Sequence, residues 1–214
     1  MRLRFVEGAK ELIQAHPKYI INNVDNKMID FRKLFNNNFP IHIEIGMGKG
    51  KFIYELAKKY SNINYVGIEK FDSAIVKALD KVIENPLKNL MLVRMDAIYL
   101  KYIFKEHSID RIYLNFSDPW PKARHEKRRL TNHNFLEVYK NLVKPLSELH
   151  FKTDNPDLFN YSVEEIRNYP MKIIYLTGDL NKSGYKDNIT TEFEEKFIKQ
   201  GKLIYKLTAI FKEA

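Results

Sequence analysis

Short apolar runs rich in β-branched residues alternate along the chain with longer stretches of helical period, the pattern of a parallel sheet with crossover helices. Residues 41–45, 64–69, 90–95, 111–116 and 148–153 are expected strands. Between the first two, Phe52, Ile53, Leu56, Ala57 and Tyr60 share one helical face. Between the next two, Ile75, Val76, Leu79, Val82 and Ile83 do the same, with Asp72 or Ser73 as the cap. Thr131 is expected to open a helix that buries Phe135, Leu136, Tyr139, Leu142 and Val143, and Asn155-Pro156 reads as a cap with proline at the first helical position. Residues 171–177 and 203–210 read as two further strands, the second alternating as an antiparallel edge strand does. The expectation is an α/β fold with about seven strands, mostly parallel, and at least four or five helices. Residues 1–39 lack a clear period and end in Asn36, Asn37 and Asn38. They read as an arm plus a short helix before a domain spanning residues 40–214.

With 214 residues, 44% of them apolar, the chain can bury one sizeable core. Its formal charge of +9 favours a polyanionic partner. Without cysteine, disulfides, thiolate metal sites and cysteine nucleophiles are excluded. The six histidines show no HExxH or similar ligand spacing, so no metal is expected. Nothing reads as a secretory signal, and no stretch approaches the roughly 20 apolar residues that cross a bilayer, so the expected location is cytoplasmic with no membrane partner.

The first strand runs into Glu44-Ile-Gly46-Met-Gly48-Lys-Gly50-Lys51. Three alternating glycines let the backbone turn sharply and approach a ligand closely. The spacing is neither that of a Walker A loop nor that of G-x-G-x-x-G, which disfavours a nicotinamide dehydrogenase. Glu69 ends the second strand, where a carboxylate can accept both hydroxyls of a ribose, and Asp96 follows the third, where an acid can meet the exocyclic amine of adenine. Taken singly, the loop is a tight connection, Asp96 a helix cap and Glu69 a solvated charge; together, at successive strand ends, they read as a nucleoside-type cofactor site.

The fourth strand delivers Asn115-Phe-Ser-Asp118-Pro-Trp120-Pro-Lys122-Ala-Arg124-His125-Glu-Lys127-Arg128-Arg129-Leu130. Two prolines restrain Asp118 and the single tryptophan. Lys122, Arg124, His125, Lys127, Arg128 and Arg129 then read as a phosphate-binding run, against the alternative of a solvated loop. For Trp120, core packing is the alternative.

These blocks, with Gly67-Ile-Glu69, His150-Phe-Lys-Thr-Asp154-Asn155 and Thr191-Glu192-Phe193-Glu194-Glu-Lys-Phe197, resemble the bacterial tRNA (guanine-N7)-methyltransferase family in the same order over residues 44–197. The resemblance implies a class I methyltransferase, a Rossmann-like three-layer sandwich, with S-adenosylmethionine as methyl donor and S-adenosylhomocysteine as product. It implies that Glu44, Gly46, Gly48, Gly50, Glu69, Asp96 and Asp118 bind that cofactor. Lys122, Asp154, Thr191, Glu192, Phe193 and Glu194 would form the substrate pocket, and Arg124, His125, Lys127, Arg128 and Arg129 would meet tRNA. The implied target is the variable-loop guanine at tRNA position 46, and the implied assembly a monomer or homodimer. Two departures stand out: Ala123 where a second basic residue is usual, and Lys144-Pro-Leu-Ser147 where many relatives have a Gly-Gly turn.

Guanine N7 carries an in-plane lone pair and no proton, so alignment and exclusion of water do more than a general base could. Asp154 or Glu194 is expected to grip the N1–H and N2 edge, and Asp118 to offset the charge that reaches the purine. A base amino-group methyltransferase is the rival enzyme, disfavoured because tryptophan separates the prolines of Asp118-Pro-Trp-Pro. A non-catalytic RNA-binding subunit is the other rival, disfavoured by intact acids at 44, 69 and 96.

Overall fold

The computed structural model describes residues 6–22 and 27–212, which form two compact units, Met1–Lys105 and Glu106–Ala214. In the first unit the elements are α1 (Ala9–Ala15), β1 (Ile20–Ile21), α2 (Phe31–Phe35), β2 (Ile41–Ile45), α3 (Lys51–Lys59), β3 (Asn64–Glu69), α4 (Asp72–Glu84), β4 (Leu90–Arg94) and α5 (Leu100–Ile103). The strands lie in the order β1-β4-β3-β2, all parallel. Every residue of β2 and β3 is buried, the polar His42, Glu44, Asn64 and Glu69 included, so β2 lies covered on both faces although its sequence alternates. Four of the five residues assigned to the first helical face, Phe52, Ile53, Leu56 and Ala57, are buried on α3, while Tyr60 is its C-cap. On α4 the buried stripe is Ala74, Ile75, Val76, Ala78, Leu79 and Val82.

Two buried asparagines tie segments of this unit together. Asn89 donates to the carbonyls of Ala57, Tyr60 and Ile63 at 2.8 to 3.0 Å, taking up acceptors at and just beyond the end of α3. Buried Asn64 donates to Asn37 Oδ1 at 2.7 Å, so the polar run before β2 is tied to the start of β3.

In the second unit the elements are β5 (Ile109–Asn115), α6 (His133–Leu142), β6 (Val143–Thr153), α7 (Pro156–Arg167), β7 (Met171–Thr177), α8 (Glu192–Lys199) and β8 (Tyr205–Phe211). The order is β5-β6-β8-β7, with β5 and β6 parallel and the other two pairings antiparallel. The α/β class and an antiparallel edge agree with the sequence reading, but the edge strand is β7; β8, read as the edge from its alternation, is paired on both sides, by β6 and β7. Eight strands are described rather than about seven, because β1, only two residues long, is too short to show a period.

Three local expectations are corrected. Asn132, not Thr131, caps α6, its side chain accepting from Asn134 N, while Thr131 Oγ1 bonds Ser162 Oγ at 2.7 Å. Val143 begins β6 instead of ending α6: the chain passes directly from helix to strand, and the break falls at Leu146, whose φ of 61° occupies the place of the usual glycine turn. Neither Asp72 nor Ser73 caps α4; Phe71 holds that place, and Asp72, in the first turn, pairs with Arg94. Asn155 does cap α7, accepting from Leu158 N at 2.8 Å, with Pro156 at the first position. Residues 1–39 contribute α1, β1 and α2, more than an arm and one helix; residues 1–5 and 23–26 of that segment lie outside the described ones.

Gly50 combines a left-handed φ of 73° with a missing side chain whose Cβ would lie 2.7 Å from Ala78 Cβ on α4. Gly50→Ala should therefore cost about 2–4 kcal/mol, from left-handed strain plus overpacking. In urea titrations the same substitution should cost less in an Ala78→Gly background; equal costs would remove the steric part of this explanation.

Candidate cofactor and RNA sites

The first unit assembles the glycine loop. Gly46 N and Met47 N both donate to Ile68 O, at 2.8 and 3.0 Å, which lays the loop across the end of β3. Met47 is buried, with its sulfur where a Cβ on Gly67 would stand, 2.3 Å away, so Gly67 is glycine to make room for the loop. Gly46 and Gly48 have φ of 76° and 58°, and a Cβ on either would meet nothing within 4 Å. The three glycines thus divide their work: Gly50 permits helix packing, while Gly46 and Gly48 leave open space above the loop.

Glu69 is buried at the end of β3. Its carboxylate accepts from Gly48 N at 3.0 Å, from Lys70 N at 2.8 Å and from Phe71 N at 3.0 Å. Burial raises its pKa, and these three N–H groups, with the Lys70 charge, work against the rise. The acid is thereby anchored to the glycine loop. Asp96, two residues past β4, accepts from Ile98 N at 3.2 Å and lies 3.4 Å from Lys70 Nζ. It therefore serves as the cap of a short 3₁₀ turn, Ala97–Tyr99, while remaining part-exposed at a strand end. Glu44 is buried in β2.

In the second unit, β5 ends at buried Asn115, and the chain turns through Phe116 and Trp120, both with left-handed φ, 52° and 42°. Such backbone in bulky residues stores strain that surrounding bonds must hold. Arg129 supplies them: its guanidinium donates to Pro119 O at 3.1 Å and Trp120 O at 3.2 Å and lies 4.2 Å from the Tyr161 ring centroid. Arg129, expected on the phosphate run, holds the Asp118 loop through these contacts. Arg128 sits over the Trp120 ring at 4.9 Å, and His125 meets the same ring edge-on. Lys122, Arg124, Lys127, Arg128 and Asp118 are exposed. Residues Ala123–Arg128 form a 3₁₀ turn that carries Arg124, Lys127 and Arg128.

Of the expected pocket residues, Asp154 is part-exposed at the end of β6 and pairs with Lys202 at 2.6 Å. Thr191 is buried and caps α8, its hydroxyl accepting from Glu194 N at 2.9 Å. Phe193 is exposed, 6.4 Å from the Phe116 ring. Glu192 is half-buried. Glu194 is fully buried: Lys152 Nζ lies 2.7 Å from Oε2, and Asn188 donates to Oε1.

Sequence reasoning missed the polar face of β5, β6 and β8. Arg111 pairs with Glu148 at 2.7 Å, Glu148 bonds His150 Nε2 at 2.6 Å, and Lys206 Nζ is 3.5 Å from His150 Nδ1. Lys152 and Lys206 are direct register partners, both buried. Two ammonium groups cannot both stay charged cheaply there. Burial and the charge of Lys152 push the Lys206 pKa down to about 7, against the pull of Glu194. Burial likewise lowers His150 to about 4, helped by the Lys206 and Arg111 charges and opposed by Glu148. The only signal in sequence was lysine standing inside strands of otherwise buried residues.

Among the described residues, no group of three His, Asp or Glu side chains could hold a metal ion, and no helix is long and apolar enough to cross a membrane.

A family model described as a putative methyltransferase matches residues 38–207. A tRNA (guanine-N(7)-)-methyltransferase of Geobacillus sp. (strain WCH70) is 52% identical over 206 residues, covering 96% of this chain and 94% of its own. Another, from Bacillus cytotoxicus, is 48% identical and covers 99% and 98%. The chain belongs to this family. Its fold is shared with the solved 16S rRNA methyltransferase KamB, at a TM-score of 0.65 and 13% identity over 87% of this chain and 95% of that one. A methyltransferase dependent on S-adenosylmethionine from Aquifex aeolicus matches at 0.57 and 14% identity, covering 97% and 100%.

Because the folded-state pKa of His150 lies below that of an unfolded histidine, the unfolded chain binds the extra proton between about pH 4 and pH 6.5, and stability rises with pH across that window. The urea midpoint should climb from pH 4.5 to 6.5, and His150→Asn should flatten the climb. A variant with the wild-type slope would show that His150 is not its source.

Proposed function

We propose that this chain transfers a methyl group from S-adenosylmethionine to N7 of guanine in tRNA, at variable-loop position 46, giving 7-methylguanosine and S-adenosylhomocysteine. The tRNA guanine-N7 reading is carried by 48–52% identity over nearly the whole chain to relatives named tRNA (guanine-N(7)-)-methyltransferase, and position 46 by the family resemblance in the sequence. The geometry supports it. The backbone at Gly46 and Gly48 is bare, with open space around it and left-handed φ that a side chain would strain, so the loop fits a cofactor laid against it. Glu44 at the methionine end, Glu69 on the ribose and Asp96 on the adenine amine are the residues that would hold it. When bound, the cofactor supplies an electrophilic methyl on a sulfonium.

The chain's own task is to position guanine and neutralise charge. N7 attacks with a lone pair it already has, so no residue must remove a proton first. Asp118, exposed on a loop that Arg129 fixes, offers a carboxylate to the charge that reaches the purine. Of the two candidates for the N1–H and N2 edge, we assign Asp154. Its partner Lys202 is exposed, and a surface ion pair of this kind is worth about 0–1 kcal/mol, so guanine can replace the lysine at low cost. Glu194 has both oxygens committed in a buried site. Lys122, Arg124, Lys127 and Arg128 supply the phosphate contacts. We take residues 40–214 to act as one methyltransferase domain, with the protein a cytoplasmic monomer or homodimer.

With labelled cofactor, transfer to tRNA carrying guanine at position 46 should vanish when that base is adenine; equal labelling would refute the target. Arg128→Ala should weaken tRNA binding and lower its salt slope by about 1, as loss of one phosphate contact does. Arg129→Met removes both the two fixed bonds and the charge, so activity should fall while the salt slope stays; a slope lowered by about 1 would return Arg129 to the phosphate run.

A further inference from the structure

We propose that Lys152 is a positioning residue for the substrate segment, holding Thr191 to Glu194 in place by locking the buried Glu194 carboxylate and the strand of chain before it. The inference rests on the methyltransferase reading above, together with the family resemblance, which implies that Thr191, Glu192 and Phe193 form part of the substrate pocket.

The Lys152 ammonium, 2% exposed, reaches three acceptors: Asn188 Oδ1 at 3.2 Å, Ile189 O at 2.9 Å and Glu194 Oε2 at 2.7 Å. Asn188 completes the ring by donating to Glu194 Oε1, and Glu194 N bonds Thr191 Oγ1 at 2.9 Å. One cation thus ties residues 188, 189 and 194 to β6, and the turn between them, with Thr191 and exposed Phe193, is fixed at both ends. A buried pair of this kind adds little net stability but is costly to break from one side, since it leaves a charge without a counterion. Its value is geometric. Glu194 then acts on the substrate through the shape of the segment, not by touching guanine.

The test separates these roles by kinetics on tRNA with purified full-length protein. Lys152→Met strands the Glu194 charge and should raise KM for tRNA by about tenfold or more, with cofactor affinity measured by calorimetry unchanged. Adding Glu194→Gln to Lys152→Met removes the stranded charge while keeping an acceptor for Asn188, so the double variant should have a lower KM than Lys152→Met alone. If Glu194 gripped guanine directly, the double variant would be worse than either single change, and that outcome overturns the proposal. In case Lys152→Met does not fold, Asn188→Ala cuts one arm of the lock and leaves the ion pair. It should raise KM about three- to fivefold, retain kcat, and speed amide hydrogen exchange in residues 188–194. A fall in kcat at constant KM, with exchange unchanged, would also overturn the inference. Wild-type protein that made no 7-methylguanosine would instead defeat the underlying reading, while the exchange measurement would still decide whether the lock exists.

Discussion

Burial of every residue along β2 and β3 is the constraint from which much else in the chain follows. A strand packed on both faces cannot carry a charge unless the charge is paired, bonded or neutralised. Polar chemistry is therefore driven to strand ends or into networks. Glu69 lies at the last position of β3, Asp96 just past β4 and Asp154 just past β6. Where a charge does sit inside a strand, as at Lys152 and Lys206, the structure supplies a buried carboxylate for one and suppresses the charge of the other.

The same constraint explains how the glycine loop is built. It turns immediately after β2, with its backbone amides taken by Ile68 O and by the Glu69 carboxylate. Met47 then fills the place of a Gly67 side chain. Loop, Glu69 and neighbouring strand are one packed unit, so the surface proposed to receive the cofactor is already in shape. In the second unit, Arg129 does comparable work for the strained turn through Phe116 and Trp120.

Much of this was legible in the sequence, for identifiable reasons. Short runs rich in β-branched residues mark strands, and 41–45, 64–69 and 171–177 were bounded to the residue. The Asn155-Pro156 cap was legible because its chemistry is local. What stayed hidden depends on long-range pairing. The two-residue β1 has no period, and the start of β6 at Val143 is set by pairing with Ile109 across the sheet. Side-chain roles were hidden in the same way. Arg129 and Arg128 are adjacent cations, yet one turns inward to two carbonyls and the other lies over Trp120. Glu194 and Asp154 are both acids in recognisable motifs, and only the partners found in the folded chain separate a locked carboxylate from an accessible one.

The central claim is a specific product from a specific atom of tRNA. Mass spectrometry of nucleosides from tRNA incubated with the protein and S-adenosylmethionine tests it most directly. The account predicts 7-methylguanosine as the new nucleoside; N2-methylguanosine or N6-methyladenosine in its place, or no methylated product, would contradict it.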